Sequence, residues 1–209
     1  MNILENLKWR YATKKFDKTR KIATSDVEKL KEAVQLSVSS YGLQLYKVLI
    51  VENPEIREKL RAASYDQAQL TDASQIFVFC NYTEYKNENV DEFIKLTAST
   101  QGIDEEVLKG YSDFMKGTLS SIPSEGYKVW TAKQTYIALS TLIAAASELK
   151  IDTCPTEAFD SQAYNKILGL DEKGLNAAVI VAAGYRSEAD EYQFKKKVRK
   201  PLDKLFEII

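Results

Sequence analysis

Two short windows of the sequence gather most of its visible chemistry. Residues 8–21 hold seven cations (Lys8, Arg10, Lys14, Lys15, Lys18, Arg20, Lys21) against one acid, Asp17. Residues 195–204 hold six (Lys195, Lys196, Lys197, Arg199, Lys200, Lys204) against Asp203. A guanidinium offers a phosphate paired N–H donors, and an ammonium offers it compact charge. Two chain ends meeting on one phosphate would use both. The same runs suit two solvated basic faces, or a nuclear-localisation or RNA-binding segment such as the one from Lys195 to Pro201. Composition does not choose among these. The 209 residues carry 29 Lys+Arg and 30 Asp+Glu, so the +11 of the two windows is balanced by −12 elsewhere. A net charge of −1 argues against a whole-surface nucleic-acid binder.

There is no histidine. That excludes Ser-His-Asp and Cys-His nucleophile pairs and every histidine metal ligand. Acid–base work at neutral pH would fall to shifted carboxylates, lysines or tyrosines, or to a cofactor. Cys80 and Cys154 stand far apart in apolar stretches, with no zinc or disulfide spacing, and read as buried thiols in a reducing cytoplasm. The opening residues lack the apolar core of a signal peptide. The most apolar run, Ile137 to Ala146, is interrupted by Ser140 and Thr141 and is too short to span a bilayer. The expectation is a soluble, cytoplasmic protein with no metal and no nucleic-acid or membrane partner. Its length suits one domain or two small ones, and no Pro/Ser-rich linker divides it.

The elements that must position these groups follow from periodicity and caps. A helix is expected from Ile3 to Ala12, with Leu4, Leu7 and Tyr11 on one face. A second opens at Ser25 in a capping box with Glu28 and buries Leu30, Ala33, Val34 and Val38. Ser39 to Gly42 breaks it, and a strand follows from Lys47 to Val51. Asn53 caps a helix that has Pro54 at its first position and runs through Ala62. Gln75 to Asn81 reads as a strand covered on both faces. Residues Asn89 to Leu119 are helical in two pieces, parted near Gly102 to Asp104. The longest helix runs from Ser124 to Lys150, apolar around most of its second half and so at the core of the domain or of a dimer. Strands near Asp152 to Pro155 and Ala177 to Ala183 flank a helix from Asp160 to Leu168. Trp130 and Phe114 read as packing residues. The pattern is an α+β or α/β layered domain.

The order and wording of six segments narrow this reading. Arg10-Tyr-Ala-Thr-Lys-Lys-Phe-Asp17 resembles the opening R-x-S-x-K-x-F-D signature of the nitroreductase family of flavoenzymes. Ser39-Ser-Tyr-Gly-Leu-Gln-Leu-Tyr46 resembles its S-S-x-N-x-Q-P-W loop. Asp66-Gln-Ala-Gln69 with Asp72-Ala-Ser74 resembles its N-Q/E-x-Q/K…D/E-A-S segment. Trp130-Thr-Ala-Lys-Gln134 stands where the family's long helix begins. Pro155-Thr-Glu-Ala-Phe-Asp160 is similar to its P-x-E-G-F-D turn, and Lys197-Val-Arg-Lys-Pro201 to its terminal K-x-R-x-P. The six follow in family order across nearly the whole chain, nearest to the oxygen-insensitive NAD(P)H-dependent branch.

The resemblance implies a single FMN-binding domain over residues 1–209. Its fold would be α+β, with a central, mostly antiparallel sheet packed by helices. A long central helix would lie at the interface of a homodimer, with FMN there too. By position, Arg10, Lys197 and Arg199 would hold the FMN phosphate, and Tyr11, Ala12 and Thr13 would line the ribityl and phosphate end. Lys14 would approach the flavin N1/O2 edge, where a cation stabilises the anionic reduced ring. Asp66 and Gln69 would face the pyrimidine edge. Pro155, Thr156, Glu157 and Ala158 would pass beside N5 and offer a backbone donor. Ser39, Ser40 and Gly42 would come from the partner subunit, with Tyr41 and Tyr65 facing substrate.

The sequence departs from the pattern at several of these positions. Ala12 stands for Ser and lacks a side-chain donor. Gly42 stands for Asn, and Asp66 for Asn, where a buried unpaired carboxylate would be costly. Gln69 stands for Lys, which leaves Lys14 as the cation at the N1/O2 edge. Ala158 stands for Gly and fits only with negative φ. The implied activity is an NAD(P)H oxidoreductase that reduces nitroaromatic or quinone-type acceptors by a two-step hydride exchange through flavin N5, with no catalytic side chain beyond the electrostatic Lys14. The alternatives are a non-enzymatic anion- or RNA-binding module built on the basic ends, or the same fold with flavin-degrading or dehalogenating chemistry.

Overall fold

The computed structural model describes residues 3–209. Four antiparallel strands form one sheet in the order β1 (Tyr46–Ile50), β2 (Gln75–Tyr82), β4 (Leu175–Gly184) and β3 (Asp152–Thr156). The helices are α1 (Ile3–Trp9), α2 (Thr24–Gln35), α3 (Pro54–Ala62), α4 (Gln69–Asp72), α5 (Asn87–Gln101), α6 (Lys109–Ser120), α7 (Ser124–Glu148), α8 (Ser161–Leu168) and α9 (Leu202–Leu205). This is the α+β architecture expected.

Alternation along the strands separates two cores. Ile76, Val78 and Cys80 of β2 join Ile180 and Ala182 of β4 on one face, where Leu60 of α3, Leu70 of α4 and Tyr164 of α8 cover them. Phe77 and Phe79 join Val179 and Val181 on the other, against Leu30 and Val34 of α2 and Ala138, Leu142 and Ala146 of α7. The register slips between Phe79 and Cys80, which pair with Val179 and Ala177. The extra residue flips parity, so Ala177 shares a face with Ile180. A third cluster (Val90, Ile94, Met115, Leu119) joins α5 to α6 and reaches Trp130 of α7 and Tyr41.

Local signals set several boundaries. Asn53 Oδ1 accepts from Ile56 N at 3.1 Å, with Pro54 in the first turn of α3, as expected. The helical stretch after β2 parts at Gly102, and α8 begins after Asp160, whose Oδ1 accepts from Ala163 N at 3.0 Å. Elsewhere the structure corrects the sequence reading. Helix α1 stops at Trp9, because the following residues leave to pair with β3. Leu4 and Leu7 are exposed, and Asn6 is the buried residue of α1, accepting from the Lys150 ammonium. The Ser25 capping box does not form: Ser25 lies inside α2, and the cap position, Ala23, has no side-chain bond. Helix α2 ends at Gln35, so Val38 falls outside its periodicity and is 73% exposed. Phe114 is exposed rather than packed and keeps an edge contact with Tyr41 at 6.4 Å. Helix α7 buries one side, while Val129, Tyr136 and Ile137 stay open. Among the described residues no helix is long and apolar enough to cross a membrane.

Candidate active site

Because β3 is an edge strand, its outer side is free to pair, and the segment after α1 takes that place. Ala12 bridges Thr153 in parallel, and Thr13 N donates to Thr153 O at 3.2 Å. Phe16 then bridges Arg186, and Asp17 N donates to Tyr185 O at 2.8 Å. Gly184 permits this crossing. A Cβ there would meet the Phe16 ring and Ser74 N, each at 3.0 Å.

This path brings the two basic windows together. The Lys197 ammonium donates to the carbonyls of Leu7 and Arg10. Partial desolvation, then Arg10 and Arg199, push the Lys197 amine below its ordinary value. Burial and then Arg199 do the same to Arg10. Among the described residues none of the three cations forms an ion pair, and the buried Nε of Arg10 has no hydrogen-bond acceptor. Three clustered positive charges that make no ion pair, with Asp152 acting on Arg10 only as the least of its influences, suit an anion with several acceptor oxygens.

Lys14 belongs to the same corner. Burial pushes the Cys154 thiol up, and the charges of Lys14 and Arg10 and a side-chain bond with Gln69 pull the other way. Thr13 is wholly buried, and its hydroxyl has no partner. The loop from Ala63 to Gln69 is tied to the turn after β3. Gln67 Nε2 donates to Ala158 O at 2.8 Å, and Asp160 N to Ala63 O at 2.8 Å. Within that loop Tyr65 (φ 52°) and Asp66 (φ 56°) are both left-handed, a strained pairing for non-glycine residues. Tyr65 is 76% exposed, and Asp66 is exposed too, so its carboxylate carries no burial cost in the chain. Ala158 does not have positive φ, so it fits where the pattern has Gly. Thr156 Oγ1 accepts from Ala158 N at 3.1 Å in this turn after Pro155. The Glu157 carboxylate accepts from Tyr136 of α7, and burial, then that bond, push the Tyr136 phenol up to about 12.

Ser39, Ser40, Tyr41 and Gly42 pack on α7. Ser40 N donates to Gln134 Oε1 at 2.8 Å, Gln44 N donates to Ser39 Oγ at 2.9 Å, and Tyr41 edges onto Trp130 at 6.4 Å. Gly42 has φ 75°, and a Cβ there would press the Phe93 ring at 3.2 Å. The chain itself therefore assembles the phosphate-type corner and the turn after β3, and holds this third group on α7, the helix whose Tyr136 meets Glu157 of that turn.

The sequence profile of the nitroreductase family matches residues 7–185. The chain belongs to the nitroreductase family. Membership makes it an oxidoreductase, and the non-enzymatic anion- or RNA-binding alternative gives way. The Bacillus subtilis protein YfkO, which carries the provisional name NAD(P)H nitroreductase, is 36% identical over 195 residues, 88% of each chain. The major NAD(P)H-flavin oxidoreductase of Aliivibrio fischeri is 25% identical over 99% of this chain and 98% of its own. A solved nitroreductase-type structure from Exiguobacterium sibiricum, in complex with FMN, superposes with a TM-score of 0.85 at 17% identity, covering 100% of this chain and 98% of that one.

A phosphate group suits this family member's unpaired cations and the unpartnered Arg10 Nε. Among the described residues no group of three or more Cys, Asp or Glu could hold a metal. Two buried carboxylates at the site escape the sequence reading. Asp152 accepts from Arg186 Nε at 2.8 Å and Nη2 at 2.6 Å, and the Arg186 guanidinium lies 4.4 Å from the Trp9 ring centre and 4.6 Å from that of Tyr11. Asp190 gathers the N-terminal segment. Both are long-range pairings that local spacing does not carry.

Proposed function

We propose that this chain is an FMN-dependent NAD(P)H oxidoreductase, a single domain over residues 1–209, that reduces nitroaromatic or quinone-type acceptors as a cytoplasmic homodimer. The observation that carries the reading is the convergence of Arg10, Lys197 and Arg199 from opposite chain ends, none of them ion-paired among the described residues. They would hold the FMN phosphate. Tyr11, Ala12 and Thr13 would line the ribityl end, Lys14 the N1/O2 edge, Asp66 and Gln69 the pyrimidine edge, and residues Pro155 to Ala158 the side of N5. When bound, FMN supplies the hydride acceptor and donor for exchange between NADH or NADPH and the second substrate. The chain's part is to bind, orient and polarise. The Lys14 charge favours electron gain at its edge, and the turn after Pro155, tied to Gln67, fixes the edge opposite.

Ser39, Ser40 and Gly42 would serve the partner's site. The exposed Val129 and Ile137 on α7, the helix that seats Ser40 through Gln134, support this. Tyr41 and Tyr65, both left-handed, would face substrate. The test is uptake of added FMN by the purified protein, counted after ultrafiltration. One FMN per chain with much weaker retention of riboflavin, which lacks the phosphate, is expected. Equal retention of the two would remove the phosphate assignment.

A further inference from the structure

A carboxylate taken out of water is costly unless its lone pairs are filled. Asp190 is 1% exposed and fills them with neutral donors. Its Oδ2 accepts from Lys14 N at 2.7 Å, Lys15 N at 3.1 Å and Tyr11 Oη at 3.0 Å. Its Oδ1 accepts from Tyr192 N at 3.1 Å and opens the turn Glu191–Phe194. No lysine or arginine pairs with it among the described residues. Burial pushes its carboxyl up, but the bonds from Lys14, Lys15, Tyr192 and Tyr11 outweigh this and hold it below its ordinary value.

The donors come from two stretches, one around Lys14, 176 residues from Asp190, and one beginning at Tyr192, two residues from it. One carries Lys14. The other leads, within a few residues of Phe194, to Lys197 and Arg199. Resting on the reading of this corner as an FMN site, we propose that Asp190 is its positioning residue: standing at the start of the stretch that leads to Lys197 and Arg199, its carboxylate anchors that stretch to the Lys14 segment by accepting Lys14 N, Lys15 N and Tyr11 Oη, while Tyr192 N on its other oxygen shapes the turn onward. An amide could not replace it. Three donors converge on one oxygen, and the amide nitrogen would then face Tyr192 N, donor against donor.

The test compares Asp190→Asn with the wild type in affinity for FMN and for riboflavin, in the midpoint potential of bound flavin, and in apo-protein melting. Expected are a loss of FMN affinity of about tenfold or more and a more negative potential, because Lys14 is displaced. Combined with Arg199→Ala, the two losses should be less than additive, since both act on one cradle. Should Asp190→Asn fail to fold, Tyr11→Phe removes one of the four donors, with a smaller shift of affinity and potential in the same directions expected. A lower melting point with unchanged affinity and potential, or fully additive losses, would show a merely structural role and overturn the proposal. Wild-type protein that takes up no FMN overturns the flavin reading and this role together, and shows it without any variant.

Discussion

Lys197 donates its ammonium to the backbone carbonyl of Arg10, so the last basic window of the chain closes onto the first. The contact sets like charges side by side, and Arg199 adds a third. Such a cluster is unfavourable by itself and becomes favourable around a polyanion.

Arg199 therefore tests the cluster. Arg199→Ala should weaken FMN binding by about tenfold and leave riboflavin binding nearly unchanged. Raising ionic strength should weaken FMN binding in the wild type more than in the variant. Fluorescence titration of both flavins at two salt concentrations checks this.

Lys14 should behave differently. Lys14→Met removes charge from the flavin edge rather than from the phosphate. Flavin reduction by NADH or NADPH should slow and the midpoint potential become more negative, with FMN retention changed less than in Arg199→Ala. Anaerobic stopped-flow and potentiometry measure the two.

The Asp152–Arg186 pair is a stability element. Asp152 is 3% exposed and takes two guanidinium bonds and the Arg186 backbone N–H. Arg186→Met keeps much of the contact with Trp9 and Tyr11 but strands the carboxylate. A loss of about 3 kcal/mol is expected, read by denaturant unfolding of the apo-protein.

Alkaline pH should destabilise the fold. Burial raises the Cys80 thiol from 9.0 to about 12 and the Tyr164 phenol from 10.0 to about 12. Both folded values exceed the unfolded ones, so the native state holds its protons longer. The contribution is complete below pH 9.0 and is lost as pH climbs toward about 12. Cys80→Ala should flatten the decline of melting temperature over that window, and an unchanged slope would contradict the assignment.

The sequence carried what is local. Asn53-Pro54 places a cap and a first turn, and the β2 run of apolar residues between Gln75 and Asn81 can only be a strand covered twice. Ser25 and Glu28 show the limit of such signals, since the box they spell is pre-empted by a helix start one residue earlier at Thr24. The cationic windows were legible as charge, and their meeting was expected from resemblance. The acids that organise the site were not. Asp190 reads as one more surface acid until the fold brings Tyr11, 179 residues away, to its carboxylate. Asp152 likewise finds Arg186 only through the pairing of β3 with β4.

The central claim is electron transfer through bound FMN. The direct measurement is the flavin absorbance of FMN-loaded protein under anaerobic conditions, on adding NADH or NADPH and then a quinone. Bleaching by at least one nicotinamide, followed by return of the oxidised band with quinone, is the predicted result. Loaded protein whose band is unmoved by both nicotinamides would contradict it.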